Sequence, residues 1–179
     1  RISKEIQELT EARVKYLMHP DLKLCILDVG AGNGNLFLEA AKDLQSKCDM
    51  DRLEKISLTY VAYECESELF SELRDITLPE LRKLSIIQNA SALCDVFAET
   101  SILSRFDLIL FAHTLYGYDT KNRQNLVQHA VERLLDHQQF GSRLILVHRK
   151  SISGNDIWEH LIQQFSTNAK VLLHRVEYE

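Results

Sequence analysis

The residues best able to do chemistry come early, in the run Asp28-Val29-Gly30-Ala31-Gly32-Asn33-Gly34. Three glycines in five positions allow a tight turn and let a ligand meet the main chain with no Cβ in the way. The helix that starts near Gly34 is expected to aim free N–H groups at the same place. A dinucleotide loop spaces its glycines G-x-G-x-x-G, and the third position of that pattern is Asn35 here. The spacing is instead G-x-G-x-G. A carboxylate two places ahead of the first glycine also suits an ammonium group better than two phosphates. The histidines are scattered. His113 and His148 end apolar runs, whereas His19, His129, His137, His160 and His174 fall in helices, termini or the far strand and read as solvated surface. Cys25, Cys48, Cys65 and Cys94 form no C-x-x-C pair and have no His partner at metal-ligand spacing. They read as small reduced residues, with neither a metal site nor disulfides.

These residues need a scaffold, and the chain predicts one by alternation. Ile6, Leu9, Arg13 and Leu17 fall at helical spacing within residues 3–18, and Pro20 stops them. Apolar strand-like runs follow at 24–29, 58–63, 84–88, 107–112, 142–148 and 171–176. Helical segments stand between them at 35–47, 66–74, 120–137 and 155–165. Runs that are continuously apolar, not alternating, mark strands covered on both faces. Their alternation with helices implies right-handed crossovers and a doubly wound, mostly parallel sheet in three layers. Ligands of such sheets lie outside the carboxyl ends of the strands, at the switch point beside the first one. That is where the glycine run falls.

Bulk properties set the outer limits. The 179 residues suit one domain, with an N-terminal helix over 1–20 and a core over 21–179. A formal net charge of −5 and the lack of any Lys/Arg stripe weigh against a nucleic-acid platform, though not against a local basic cleft. No apolar run reaches the ~20 residues of a membrane span, and the start is not a secretory signal. A cytoplasmic protein is expected. The chain begins at Arg1 instead of Met, as a trimmed piece of a longer protein would.

The acidic residue, the three glycines and their place on the first strand resemble the signature of class I S-adenosylmethionine-dependent methyltransferases. That resemblance implies S-adenosylmethionine as cofactor, held by Asp28, Gly30, Ala31, Gly32 and Gly34. It implies a carboxylate for the ribose hydroxyls at the end of the next strand: Glu64, with Cys65 beside it, and Glu66 as competitor. Adenine would lie by Asn89, Ala90 and Ser91, although the usual acidic residue is missing there. The run Phe106 to Phe111 is similar to the family's fourth motif, so that Phe111, Ala112 and His113 would line the cleft of methyl transfer. Residues 107–165 look like the corresponding part of histamine N-methyltransferase and its small-molecule relatives. The likeness lies in Leu115-Tyr116-Gly117-Tyr118, the long helix, Leu144 to Val147, and a Ser/Gly-rich loop before Trp158. It implies a small-molecule acceptor at nitrogen or oxygen, faced by His113, Tyr116, Tyr118, His148 and Trp158. His113 is the candidate base.

Phe111-Ala112-His113-Thr114 stands where amine-methylating enzymes of bases carry Asn/Asp-Pro-Pro-Tyr/Phe, which lowers nucleic-acid acceptors. RNA or protein methylation, a non-catalytic methyltransferase-like module and an NAD-dependent oxidoreductase remain as alternatives, the last opposed by the glycine spacing. The family's sheet usually adds a seventh, antiparallel strand beside the sixth. Only six are foreseen here, so an exposed apolar edge, or a segment or second copy covering it, is expected.

Overall fold

The computed structural model describes residues 2–17, 22–47, 56–97, 104–112, 114–115, 118–136, 142–149 and 170–176. Helix α1 (Ile2–Leu17) leads to β1 (Leu22–Val29), α2 (Asn35–Lys47) and β2 (Ile56–Glu64). Helix α3 (Ser67–Glu72) runs through a π-helical segment (Leu73–Thr77) into the short α4 (Leu78–Leu81). Strands β3 (Ile87–Cys94) and β4 (Leu108–Ala112) follow. Helix α5 (Thr120–His129) then continues as a second π segment (Ala130–Leu134). Strands β5 (Arg143–Arg149) and β6 (Lys170–Val176) complete the described elements.

The six strands form one sheet in the order β3-β2-β1-β4-β5-β6, every pair parallel. This is the doubly wound arrangement expected from the alternating runs. The chain order reverses between β1 and β4, and that switch opens a crevice at their carboxyl ends. Because side chains alternate along a strand, each central strand feeds two cores. Leu24 and Ile26 of β1 and Leu108 and Leu110 of β4 join α1, α2, Leu73 of the π segment and α4 on one face. Leu27, Val29, Ile109 and Phe111 join α5 on the other. The result is three layers, helix–sheet–helix. Helix α5 begins at Asp119, whose side chain accepts the Asn122 N–H at 2.9 Å, a side-chain cap that satisfies one of the helix's free donors.

Two differences from expectation stand out. The third strand covers Ile87–Cys94 and not 84–88. The reason is its edge position. Among the described residues it pairs on one side only, Gln88 and Asn89 are exposed while Ala90 is buried, and the strand does not read as a continuous apolar run. Residues 82–86 form the turn before it, with Ile87 N–H bonded to Leu84 O at 3.0 Å. The other difference is length. The helix foreseen at 66–74 extends through the π segment to Leu81. Among the described residues β6 pairs directly with β5 and no antiparallel strand occurs. The helix foreseen at 155–165, and the covering of the β6 edge, lie outside what is described.

Candidate functional site

The glycine run forms the turn between β1 and α2, and its main chain is hooked to the end of β2. The N–H groups of Gly30 and Ala31 both bond Tyr63 O, at 2.8 and 3.0 Å. Gly32 N–H bonds Glu64 Oε2 at 2.7 Å, and Gly34 N–H bonds Ala31 O at 2.9 Å. Asn35 N–H, the first donor of α2, is taken by Asn33 Oδ1 at 3.3 Å. One of the donors expected at the helix start is therefore taken within the turn. Gly30 and Gly34 have φ of +67° and +75°, which side-chain-bearing residues avoid. A Cβ on Gly30 would collide with Thr114, and one on Gly34 with Leu73 and Thr77 of the π segment. Space beside Gly32 is open.

Other side chains brace this turn. Thr114, just beyond β4, donates to Val29 O at 2.5 Å. Thr77 donates to Asn33 O at 2.6 Å, and Asn33 Nδ2 reaches Glu72 Oε2 at 3.2 Å. The loop is thus tied to the element after β2 and to the element after β4.

A cavity of about 660 Å³ opens along the turn. Asp28, Gly30, Ala31, Gly32, Glu64, Cys65, Ala112 and Tyr118 all line it. Gly34 is not among its lining residues. Phe111 is buried against Phe97, 6.1 Å between ring centroids, and is not among the lining residues. Asn89, Ala90 and Ser91 are not brought to it. They sit in the middle of β3, paired with Thr59, Tyr60 and Val61, because that strand runs on to Cys94. The β3 side of the cavity is supplied by Val96. His113, Tyr116 and Trp158 lie outside the described residues. For His148 the backbone is described, in β5 opposite Arg175.

The cavity's charge has one sign. Asp28, Glu64 and Glu66 line it, with no Lys or Arg among the described lining residues. Glu64, 6% exposed, accepts Gly32 N–H through one oxygen and Glu66 N–H through the other, at 2.8 Å. Each carboxylate oxygen has a second lone pair for another donor. Asp28, 2% exposed, accepts the Tyr60 hydroxyl at Oδ2, 2.9 Å away, while its buried Oδ1 has no partner. Burial pushes the Asp28 carboxyl up to about 7, the Tyr60 bond opposes this, and the neighbouring Glu64 charge adds to it. Burial also raises the Tyr118 hydroxyl, with smaller contributions from Cys65 and Glu64.

Leu36, Leu69 and Val96 give the cavity an apolar wall that sequence reasoning did not single out. Tyr60, the partner of Asp28, was also missed, although a period of two puts Tyr60, Ala62 and Glu64 on one face of β2. That periodicity was the available signal.

No protein-family model matches the chain, and no curated protein does. Among solved structures, it is similar to magnesium protoporphyrin IX methyltransferase from Synechocystis with bound S-adenosylmethionine, at 14% identity and a TM-score of 0.45 over 73% of this chain and 55% of that one. It is similar to WbdD bound to a kinase inhibitor, at 16% identity and a TM-score of 0.49 over 74% and 27%. It is also similar to the N-methyltransferase NodS of Bradyrhizobium japonicum with S-adenosylhomocysteine, at 16% identity and a TM-score of 0.44 over 72% and 56%. The chain spans only about a quarter to somewhat over half of these proteins' own lengths. With TM-scores under 0.5 these likenesses carry no weight of their own. The fold stands on the sheet order, and the chemistry on the cavity.

Proposed function

We propose that the chain is the core of an S-adenosylmethionine-dependent methyltransferase acting on a nitrogen or oxygen of a small molecule. One observation carries this reading. The turn's N–H groups at 30, 31, 32 and 34 are all engaged within the protein, while the cavity is lined by Asp28, whose buried Oδ1 has no partner, and by Glu64. A pyrophosphate favours positive potential, and the described lining of this cavity carries carboxylates and no Lys or Arg. A ligand with an ammonium, a ribose diol and a positively charged sulfur meets acceptors where it has donors. The residues present therefore fit S-adenosylmethionine better than a dinucleotide.

In this reading Asp28 takes the ammonium and Glu64 the ribose hydroxyls, while Gly32 leaves room for close approach. Cys65, Leu69 and Val96 form an apolar slot for a flat base. The cofactor supplies an electrophilic methyl group on a sulfonium. The chain's task is to hold an acceptor in line with that methyl and to keep water out. Ala112 leaves space at the end of β4, and Tyr118 offers a hydroxyl at the cavity wall. His113 is assigned as base for acceptors that must lose a proton, with Tyr116, His148 and Trp158 as further acceptor contacts. Histamine N-methyltransferase-like acceptors follow from the likeness of residues 107–165, and a panel of small amines is the first set to assay.

Calorimetry with S-adenosylhomocysteine and NAD offered separately tests the cofactor. Binding of S-adenosylhomocysteine without NAD is expected. Tight binding of NAD alone overturns the proposal.

A further inference from the structure

Among the described residues, Asp28 is the one buried carboxylate in the cavity with an oxygen left over, and the residue that sets this arrangement is Tyr60. Asp28 pairs in register with Ala62, so Tyr60 and Glu64 flank it along the same face of β2. The Tyr60 ring is fully buried and stacked on Phe37 of α2, with centroids 4.1 Å apart and planes within 7°. A ring clamped in this way cannot swing its hydroxyl elsewhere. The hydroxyl fixes Oδ2, and Oδ1 is left buried and without a partner, on a residue that lines the cavity.

Resting on the cofactor reading above, we infer that Tyr60 is a positioning residue that holds Asp28 with one oxygen free for the ligand's ammonium, and that this couples binding of ammonium-bearing ligands to a proton. The groups facing Asp28 define the coupling. From β2 come Tyr60 and Glu64. Cys65 and Glu66 line the same cavity ahead of α3. On the β4 side stand Leu110, its register partner, and Thr114 of the cavity lining, while Phe37 of α2 stacks on Tyr60. Burial raises the Asp28 carboxyl to about 7, and no Lys or Arg among the described lining residues offsets it. An ammonium at Oδ1 favours the charged form, and binding must expel that proton wherever it is present. Affinity therefore rises with pH through neutrality and levels off above it.

The probe pair is S-adenosylhomocysteine and 5′-methylthioadenosine. The second has the same adenosine and thioether sulfur but neither ammonium nor carboxylate. Calorimetry on the wild-type chain is expected to show S-adenosylhomocysteine binding about tenfold weaker at about pH 6 than at about pH 8, as a carboxyl titrating near 7 requires. Binding of 5′-methylthioadenosine should change little over the same range. In Tyr60→Phe the midpoint of the S-adenosylhomocysteine profile should move upward, because a bond that favours the charged carboxylate is lost, with 5′-methylthioadenosine binding retained as the sign of an intact fold. Asp28→Asn should flatten the profile altogether.

A flat wild-type profile, or one that both ligands follow, overturns the inference even if Tyr60→Phe fails to fold. So does a slope that survives Asp28→Asn. Binding of 5′-methylthioadenosine with no advantage for S-adenosylhomocysteine sinks the inference alone. Failure of both ligands at every pH removes the cofactor reading and the inference with it.

Discussion

A buried acid with a raised pKa changes stability as well as binding, and Asp28 lets the two be separated. In the folded, ligand-free chain its carboxyl is held at about 7, against 3.8 for the ordinary group. Between those values the folded state binds a proton that the unfolded state has released. Its contribution to stability therefore falls as pH rises through that window, by roughly 1.4 kcal/mol for each pH unit crossed, and the full cost is present above 7. Asp28→Asn removes the cost. Thermal unfolding without ligand should show the variant more stable than wild type at about pH 8, by on the order of a few kcal/mol, and nearly equal at about pH 4. A constant gap across that range would mean that Asp28 does not titrate as its burial requires. Asp28 and the glycines were legible in the sequence because a tight turn restricts residue type through the backbone itself. Tyr60 was not, since an aromatic residue within an apolar run reads the same whether its hydroxyl has a task or merely a partner.

At the scale of elements, legibility followed burial. Strands β1, β2, β4 and β5 have a neighbour on each side and helices on the described faces, so they appear as apolar runs with roughly correct limits. Edge strand β3 is largely exposed beyond Ile87 and Ala90, and its misplacement put Asn89, Ala90 and Ser91 after the strand, where the structure has them within it. The register makes this testable. Ala90 is 0% exposed opposite Tyr60, whereas Asn89 is exposed. Ala90→Asp should destabilise by about 3 kcal/mol or more, because it buries a charge with no partner, and Asn89→Asp should stay within about 0.5 kcal/mol. Urea titration of the two variants side by side checks the placement, and equal effects would contradict it. The two π segments carried no comparable sequence signal. The first of them presents Leu73 and Thr77 to Gly34, a contact fixed by three-dimensional approach and not by spacing along the chain.

The strand order was legible for the whole molecule, because alternation and handedness leave few ways to wind such a sheet, but the docking of the N-terminal helix was not. Helix α1 is fastened to the sheet through Arg143 at the start of β5, 4% exposed, whose Nη1 lies 2.5 Å from Glu5 Oε2 and 3.5 Å from Glu8 Oε2. Partners 138 residues apart leave no pattern along the chain. This contact lies at the amino end of β5, on the side of the sheet away from the glycine turn, so it bears on assembly of the layers and not on the cavity. Glu5 is nearly as enclosed as Arg143, while Glu8 is 41% exposed and screened by water. Removing one member of the enclosed pair leaves the other charge buried, which costs about 3–5 kcal/mol; replacing both with apolar residues of similar volume is often neutral. Glu5→Gln and Arg143→Met should each lower the urea midpoint strongly, the double variant Glu5→Leu with Arg143→Met should recover much of the loss, and Glu8→Gln should do little. If the double variant lost the sum of the two single effects, the pair would not be the contact that seats α1, and the packing of Ile2, Ile6 and Leu9 and the Ser3–Asp43 hydrogen bond would be the contacts to test next.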